Sequence, residues 1–187
     1  MFRSTCFTFA LLACSTLPSV AGGRFAANDT DFLNLMGNHE GYRGYGTVSD
    51  YAPVLPDREV ERMTIGEILA YQERIRAMGT RSSAVGRYQF IHETLSDLVE
   101  EEEVSPNLVF DEEVQTYLAR FLMEDCGFYD TEAEIAALGN CLAGRWAALP
   151  MLSGPQKGLS AHEGDGLNHA SIAPETFLAV LESRFTW

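Results

Sequence analysis

The stretch AVGRYQ at residues 84–89 gives the clearest indication of how this chain folds. Its small residues lead to Gly86, and an arginine, a tyrosine and a glutamine follow, as the first turn of a helix would present them. We predict that this helix begins at about Gly86 and continues past Phe90 into the acidic run at 100–103. Amide and hydroxyl groups beside an aromatic ring are suited to a sugar-binding wall. The alternative is an ordinary capped helix with Tyr88 in the core.

Helical periodicity and capping signals surround this stretch on both sides. Further helices are predicted from Asp29 to about His39, from Thr64 to about Met78 with Glu67 completing a capping box, from Asp111 to about Leu122, from Thr131 to about Leu149 with Glu134 as its box partner, and from Pro174 to about Phe185. Between about residues 41 and 63, glycines and prolines predict an irregular segment with room for one small hairpin. We therefore expect a single α+β, predominantly helical domain over residues 22–187.

Composition and net charge argue against one class of binding partner. The chain has 187 residues, is 46% hydrophobic and carries a formal net charge of -14, which fits a globular domain with its own core. A nucleic-acid-binding surface needs clustered Lys and Arg, so no nucleic-acid partner is expected. The acids are concentrated in residues 97–134, which hold thirteen acids and one base, whereas residues 40–87 hold seven of each.

Residues 1–21 have the three parts of a secretory signal peptide. Arg3 provides the basic start, a short apolar run follows, and small residues precede Ala21, after which we expect cleavage. An exported, periplasmic protein is therefore predicted. A buried N-terminal helix is the alternative, and the segment ending at Cys14 also resembles a lipoprotein processing box, in which Cys14 would carry the lipid.

Cys126 and Cys141 remain after such cleavage. An even pair in an exported protein indicates a disulfide, which here would join the end of the fourth predicted helix to the middle of the fifth. Two free buried thiols are the alternative, since the sequence does not determine their separation. No Cys-x-x-Cys pattern and no Cys/His quartet occurs, so we expect neither a metal nor another cofactor.

Two other features have both a functional and a structural interpretation. One is the group His162, Glu163, Asp165 and His169, which could be taken for a metal site. The other is Trp146, which could stack on a sugar. The first four fit no standard metal-ligand spacing, and a glycine-rich wall of a groove is the interpretation we favour for their loop. Trp146 lies among apolar residues of a predicted helix, so we assign it to the core.

Glu40 is the candidate for acid–base chemistry. It directly follows the first predicted helix and is followed by Gly41 and Tyr42. Partial burial there would raise the pKa of its carboxyl group and allow it to donate a proton near neutral pH. The alternative is a solvated glutamate at a helix end. Asp50 is the nearest acid downstream, and its alternative role is that of a solvated turn residue.

The order of these motifs resembles that of the lambda-type phage endolysins and the lysozyme-like muramidases related to them. The resemblance covers most of residues 30–186, and it depends on Glu40-Gly41, on residues 84–89 and on WAALP at 146–150. It implies a lysozyme-like fold. It also implies cleavage of the β-1,4 bond between N-acetylmuramic acid (MurNAc) and N-acetylglucosamine (GlcNAc) in peptidoglycan.

The resemblance further implies roles for single residues. Glu40 matches the general acid of the family, and Tyr88 and Gln89 match positions that line its glycan groove. With Arg87 and Asp50 they complete the predicted substrate-binding set. We expect a monomer whose partner is the peptidoglycan glycan strand.

Two reaction mechanisms and one non-catalytic role stay open at this point. Lambda-type enzymes resemble lytic transglycosylases with a single glutamate, in which the sugar's own 6-hydroxyl displaces the leaving group and leaves a 1,6-anhydro end; we favour this one. A hydrolysing muramidase would instead use Asp50 to orient water, because glycosidases usually pair two carboxylates. The third is a non-catalytic, glycan-binding part of an envelope-spanning assembly.

Overall fold

A computed structural model describes residue 25 and residues 27–186. The predicted signal peptide, residues 1–21 with Cys14, lies outside the described residues. The described chain forms helices α1 (Thr30–His39), α2 (Ile65–Ala77), α3 (His92–Glu101), α4 (Glu112–Asp125), α5 (Ile135–Arg145) and α6 (Pro174–Ser183), with a 3-10 helix at Val60–Arg62. Within this part of the chain β-pairing is limited to isolated bridges, so the prediction of a predominantly helical fold is confirmed. No helix among the described residues is long and apolar enough to cross a membrane.

Local capping signals begin three helices where the sequence predicts them. Thr64 accepts the Glu67 backbone N–H, and the Glu67 carboxylate accepts the Thr64 N–H at 2.7 Å, which completes the capping box of α2. The Asp111 carboxylate accepts the Val114 N–H at 3.0 Å at the start of α4. Pro174 occupies the first turn of α6. These signals act between near neighbours in sequence, so a local pattern is sufficient to predict them.

The third helix begins about six residues later than predicted. α3 begins at His92 rather than Gly86, because Gly86 (φ 86°) and Gln89 (φ 49°) adopt left-handed conformations that a helix cannot contain. Val85 and Phe90 instead exchange both backbone hydrogen bonds at 3.0 Å each. Residues 85–90 therefore form a tight turn, called the hairpin turn below.

The small hairpin that was expected between about residues 41 and 63 does not form there. Segment 41–63 forms no hairpin of its own among the described residues; Val48 bridges Val85 of the hairpin turn instead. The Thr47 carbonyl accepts the Gly86 N–H at 2.7 Å, and the Ala84 carbonyl accepts the Ser49 N–H at 3.0 Å. The irregular segment is thus paired with the hairpin turn.

The fifth helix is shorter than predicted. α5 begins after Glu134, whose carboxylate accepts the N–H groups of Ala136 and Ala137 at 3.1 and 2.7 Å, so Thr131 is not its cap. It ends at Arg145 because Trp146 is extended, with φ -127° and ψ 117°.

Phe32 of α1 lies at the centre of an aromatic cluster in the core. Its ring centroid lies 5.2 Å from that of Phe128, 5.7 Å from that of Trp146 and 6.3 Å from that of Phe177. The Trp146 indole N–H donates to the Tyr88 carbonyl oxygen at 3.1 Å, so a buried indole is satisfied and its predicted place in the core is confirmed. The first turn of α1 is thereby packed against α6 and against residues that closely follow α4 and α5.

The predicted disulfide is present. Cys126 directly follows α4, Cys141 lies in the middle of α5, and their Cα atoms are 5.5 Å apart. The cross-link therefore joins the two helices that the sequence analysis named.

A partly buried ion pair ties the start of α1 to α4. Asp29 accepts from the Arg120 guanidinium at 2.7 and 3.2 Å and from the Tyr129 hydroxyl at 3.0 Å. Its side chain consequently makes no capping hydrogen bond to α1, contrary to prediction. Next to it, the Asn28 N–H donates to the Arg184 carbonyl oxygen at 2.7 Å, which brings the two ends of the described chain together.

Candidate active site

A groove of about 780 Å³ opens beside the end of α1. Most of its lining residues fall into two sets. We call residues 42–51 and 80–84 the first wall, and residues 144–147 and 162–169 the second wall. Glu40, Asp50 and Gln89 of the predicted site line this groove, so the fold brings these three residues to one place.

Glu40 is held in position by the end of α1. Its N–H donates to the Met36 carbonyl oxygen at 2.8 Å, so its backbone still belongs to the last helical turn. The next residue, Gly41, is buried against the hairpin turn, where any Cβ atom would collide with the backbone of Arg87. Only a glycine allows this approach, which places the Glu40 side chain at the groove.

The Glu40 carboxyl group has the electrostatic environment of a proton donor. Burial raises its pKa, and this effect outweighs the N–H of Ala148 and the nearby His162, both of which favour the charged form. The Ala148 N–H donates to Glu40 Oε1 at 3.0 Å, which fixes the carboxyl group between the two walls. A carboxyl group whose pKa is raised in this way keeps its proton to a higher pH than a solvated glutamate does, so it can act as a proton donor.

A buried glutamine of α4 holds the hairpin turn from behind. Gln115 Oε1 accepts the Arg87 N–H at 2.8 Å, and its Nε2 donates to the carbonyl oxygens of Phe110 at 2.8 Å and Tyr45 at 3.1 Å. The structural role of Gln115 was not predicted from the sequence. The available signal was its polarity within the apolar stripe of the predicted helix.

A second buried glutamine, in α2, holds the same turn from another side. Gln72 Nε2 donates to the carbonyl oxygens of Ser83 at 2.9 Å and Phe90 at 2.8 Å. Gln72 and Gln115 satisfy backbone groups in and next to the hairpin turn. They therefore stabilise a turn in place of the helical start that the local sequence suggests.

The structure places Tyr88 in the core, as its alternative interpretation has it. Its side chain is only 2% exposed, its hydroxyl lies 3.3 Å from Thr116 Oγ1, and its ring packs edge-on against Tyr45 and Phe90. Burial raises the pKa of Tyr88 to about 12. The prediction that Tyr88 lines the groove is therefore corrected.

Arg87 also lies behind the groove. Its guanidinium is 5.4 Å from the centroid of the Tyr45 ring, and it covers Gly37 of α1. Arg87 is not among the residues that line the groove, so the structure does not bring it together with Glu40, Asp50 and Gln89, and its role in substrate binding stays a prediction.

Gln89 and Asp50 line the groove in different ways. Gln89 is half-buried, and its Nε2 donates to the Gly86 carbonyl oxygen at 2.7 Å. Asp50 is exposed, and its carboxylate is held by Arg43 at 2.8 Å. Arg43 also donates to the Val48 carbonyl oxygen, so the pair is anchored to the first wall.

The second wall includes most of the loop cluster found in the sequence. His162, Asp165 and His169 line the groove, whereas Glu163 does not. Asp165 binds its own loop, accepting from Leu167 at 2.7 Å and from the Asn168 backbone at 2.8 Å. Among the residues that the structure describes, no three His, Cys, Asp or Glu side chains are grouped to hold a metal ion.

Comparison of the chain with models of known protein families, with curated proteins and with solved structures gave no significant match. The resemblance to lambda-type endolysins therefore remains a prediction, and a functional proposal depends on the geometry of the site itself.

Proposed function

We propose that this protein is an exported enzyme with a lysozyme-like domain that cleaves peptidoglycan glycan strands at the MurNAc-β-1,4-GlcNAc bond. The observation that carries the proposal is Glu40: a carboxyl group whose pKa burial raises, held by one backbone N–H beside a groove of about 780 Å³. A groove of that size can accept several sugar rings. Glu40 is the general acid.

The proposed reaction is that of a lytic transglycosylase and needs no second carboxylate. Protonated Glu40 donates its proton to the glycosidic oxygen as the bond from that oxygen to C1 of MurNAc breaks. The resulting carboxylate then takes the proton of the same sugar's 6-hydroxyl while O6 bonds to C1. The products are a 1,6-anhydro end and a free 4-hydroxyl, and Glu40 is again protonated.

A hydrolysing muramidase is the second candidate, because Asp50 lines the same groove. In that reaction Asp50 would orient a water molecule that attacks C1. We favour the transglycosylase because the Asp50 carboxylate is already held by Arg43 at 2.8 Å. Mass spectrometry of the first products distinguishes the two, since a hydrolysed end is heavier than an anhydro end by one water.

The test of the proposal is release of soluble muropeptides from sacculi by residues 22–187. Replacing Glu40→Gln should lower the rate by at least about 100-fold, because the amide cannot donate the proton. Glu163→Gln is the matched control, since Glu163 is exposed and does not line the groove. Full activity of Glu40→Gln would exclude Glu40 as the acid. Sacculus binding by wild type without any turnover would favour the non-catalytic alternative.

A further inference from the structure

Arg81 lies where the two walls of the groove meet. It belongs to the first wall, and its Nη2 donates to the Gly166 carbonyl oxygen of the second at 2.8 Å. Its guanidinium also lies over the Tyr51 ring, 4.9 Å from the centroid. Tyr51 lines the groove and is 45% exposed, so an aromatic ring and a guanidinium are presented together to a ligand.

The side-chain hydroxyl of Thr80 helps to fix this pair in place. Thr80 Oγ1 lies 2.9 Å from the Tyr51 carbonyl oxygen and 2.8 Å from that of Ser82, which ties the two segments of the first wall together on either side of Arg81. A site assembled in advance loses less conformational entropy when it binds.

The charge of Arg81 is not committed to a carboxylate. Arg43 pairs with Asp50 at 2.8 Å, and Arg76, another arginine of the groove, pairs with Glu93 at 2.6 Å. Among the described residues Arg81 makes no ion pair; it donates to a carbonyl oxygen and lies over an aromatic ring. A guanidinium has five N–H donors in a planar fork that matches a carboxylate, so most of them are available here.

We propose that Arg81 and Tyr51 form a subsite for a carboxylate-bearing substituent of the glycan strand. The guanidinium binds the carboxylate, and the Tyr51 ring packs against the attached sugar or peptide. This inference rests on the proposed function and narrows its substrate to strands that carry carboxylates, which the peptide stems supply. A neutral oligomer of GlcNAc lacks the group that Arg81 binds. A strand stripped of its stems does not lack it, because each cleaved amide leaves a carboxylate on the lactyl group of MurNAc.

The experiment measures binding without turnover. The Glu40→Gln protein is titrated with soluble peptidoglycan strands and with neutral oligomers of GlcNAc. Adding Arg81→Gln should weaken binding of the peptide-bearing strands by about tenfold, the effect of one charged hydrogen bond, and change binding of the neutral oligomers less than about twofold. Arg62→Gln is the control, since Arg62 is highly exposed and lies outside the groove.

The outcomes separate this inference from the proposed function. If Glu40→Gln binds the peptidoglycan strands and the neutral oligomers, but Arg81→Gln weakens both equally or neither, the subsite is refuted and the proposed function stands. If Glu40→Gln binds neither of them, the proposed function loses its substrate and the subsite fails with it. Equal thermal unfolding of Arg81→Gln and Arg62→Gln shows that a selective loss arises from the subsite.

Discussion

Glu40 derives its predicted chemistry from burial, which raises the pKa of its carboxyl group. Only the protonated form donates a proton, so cleavage should fall as the pH rises through this raised pKa. The measurement is the initial rate of muropeptide release between about pH 4 and pH 9 at constant ionic strength. A rate that rises continuously over that interval would contradict the role of general acid.

The raised pKa of Glu40 also affects the folding stability, in the opposite direction to the lowered pKa of a salt-bridged acid. A carboxyl group whose folded pKa is raised binds protons more tightly in the folded state, so its contribution is favourable in acid and is lost as the pH rises through the folded pKa. Glu40→Gln should therefore unfold at a higher temperature than wild type at alkaline pH, and the difference should shrink in acid. Calorimetry at two pH values measures this.

At the residue scale, the sequence could identify Glu40 but not its environment. Its position after a helix and before a glycine was visible locally. The N–H that fixes its carboxyl group belongs to Ala148, which is 108 positions away, and no local pattern reveals that contact. Tyr88 shows the converse: its residue type suited a sugar wall, yet a 2% exposed side chain belongs to the core.

At the element scale, the close approach of α1 to the hairpin turn depends on Gly41. In Gly41→Ala the added methyl group would collide with the Arg87 backbone, so the two elements must separate. We expect a loss of about 1–3 kcal/mol in the free energy of unfolding and at least about tenfold in cleavage rate, because Glu40 moves with the helix end. Urea denaturation and muropeptide release measure the two effects.

Gly144 in α5 provides the matched control for stability. Nothing lies within 4 Å of the Cβ that Gly144→Ala would add, so this variant should gain about 0.5–1 kcal/mol from helix propensity. Equal stability changes in both variants would show that Gly41 is not required for packing.

The cross-link between α4 and α5 should contribute measurably to stability. Reduction of Cys126–Cys141 opens a loop with a sequence separation of 15, which corresponds to about 3 kcal/mol in the chain-entropy model. Urea unfolding with and without reductant measures this. A Cys126→Ser, Cys141→Ser double variant should be as stable as the reduced protein, and its stability should not change when reductant is added. Identical midpoints for oxidised and reduced wild type would rule out a stabilising role.

Helix starts divide into those that the sequence could predict and those that it could not. The caps at Thr64 and Asp111 use side chains three positions from their targets, so they are encoded locally. The hairpin turn is determined by Gln72 and Gln115, which come from other helices and satisfy its backbone groups. Tertiary contacts of this kind override a local pattern that favours helix.

At the scale of the whole molecule, the net charge of -14 says little about the groove. The acids of residues 97–134 belong mainly to α3, α4 and their connections, whereas Arg43, Arg76, Arg81 and Arg145 all line the groove. At physiological salt, charges more than about 8 Å apart are largely screened. Three of these arginines pair with carboxylates, so an anionic polymer can be bound by this acidic protein if its main charged contact is with Arg81.

Removing charge from the outer face of α3 should therefore leave catalysis intact. The triple variant Asp97→Asn, Glu100→Gln, Glu101→Gln changes three exposed side chains. We expect a cleavage rate within about twofold of wild type near 0.15 M salt, with any difference appearing only at low ionic strength. Muropeptide release at the two salt concentrations measures this, and a tenfold change at the higher one would show that the acidic face takes part in substrate binding.

The hydrogen bond between Asn28 and Arg184 gives the domain the topology of a nearly closed ring. Joining its adjacent ends with a short linker and opening the chain at an exposed loop position such as Gly154 would produce a circular permutant with the same neighbours in space. In such a ring, Glu40 and residues 162–169 of the second wall could be encoded in either order, because the site depends on which segments meet and not on which is synthesised first.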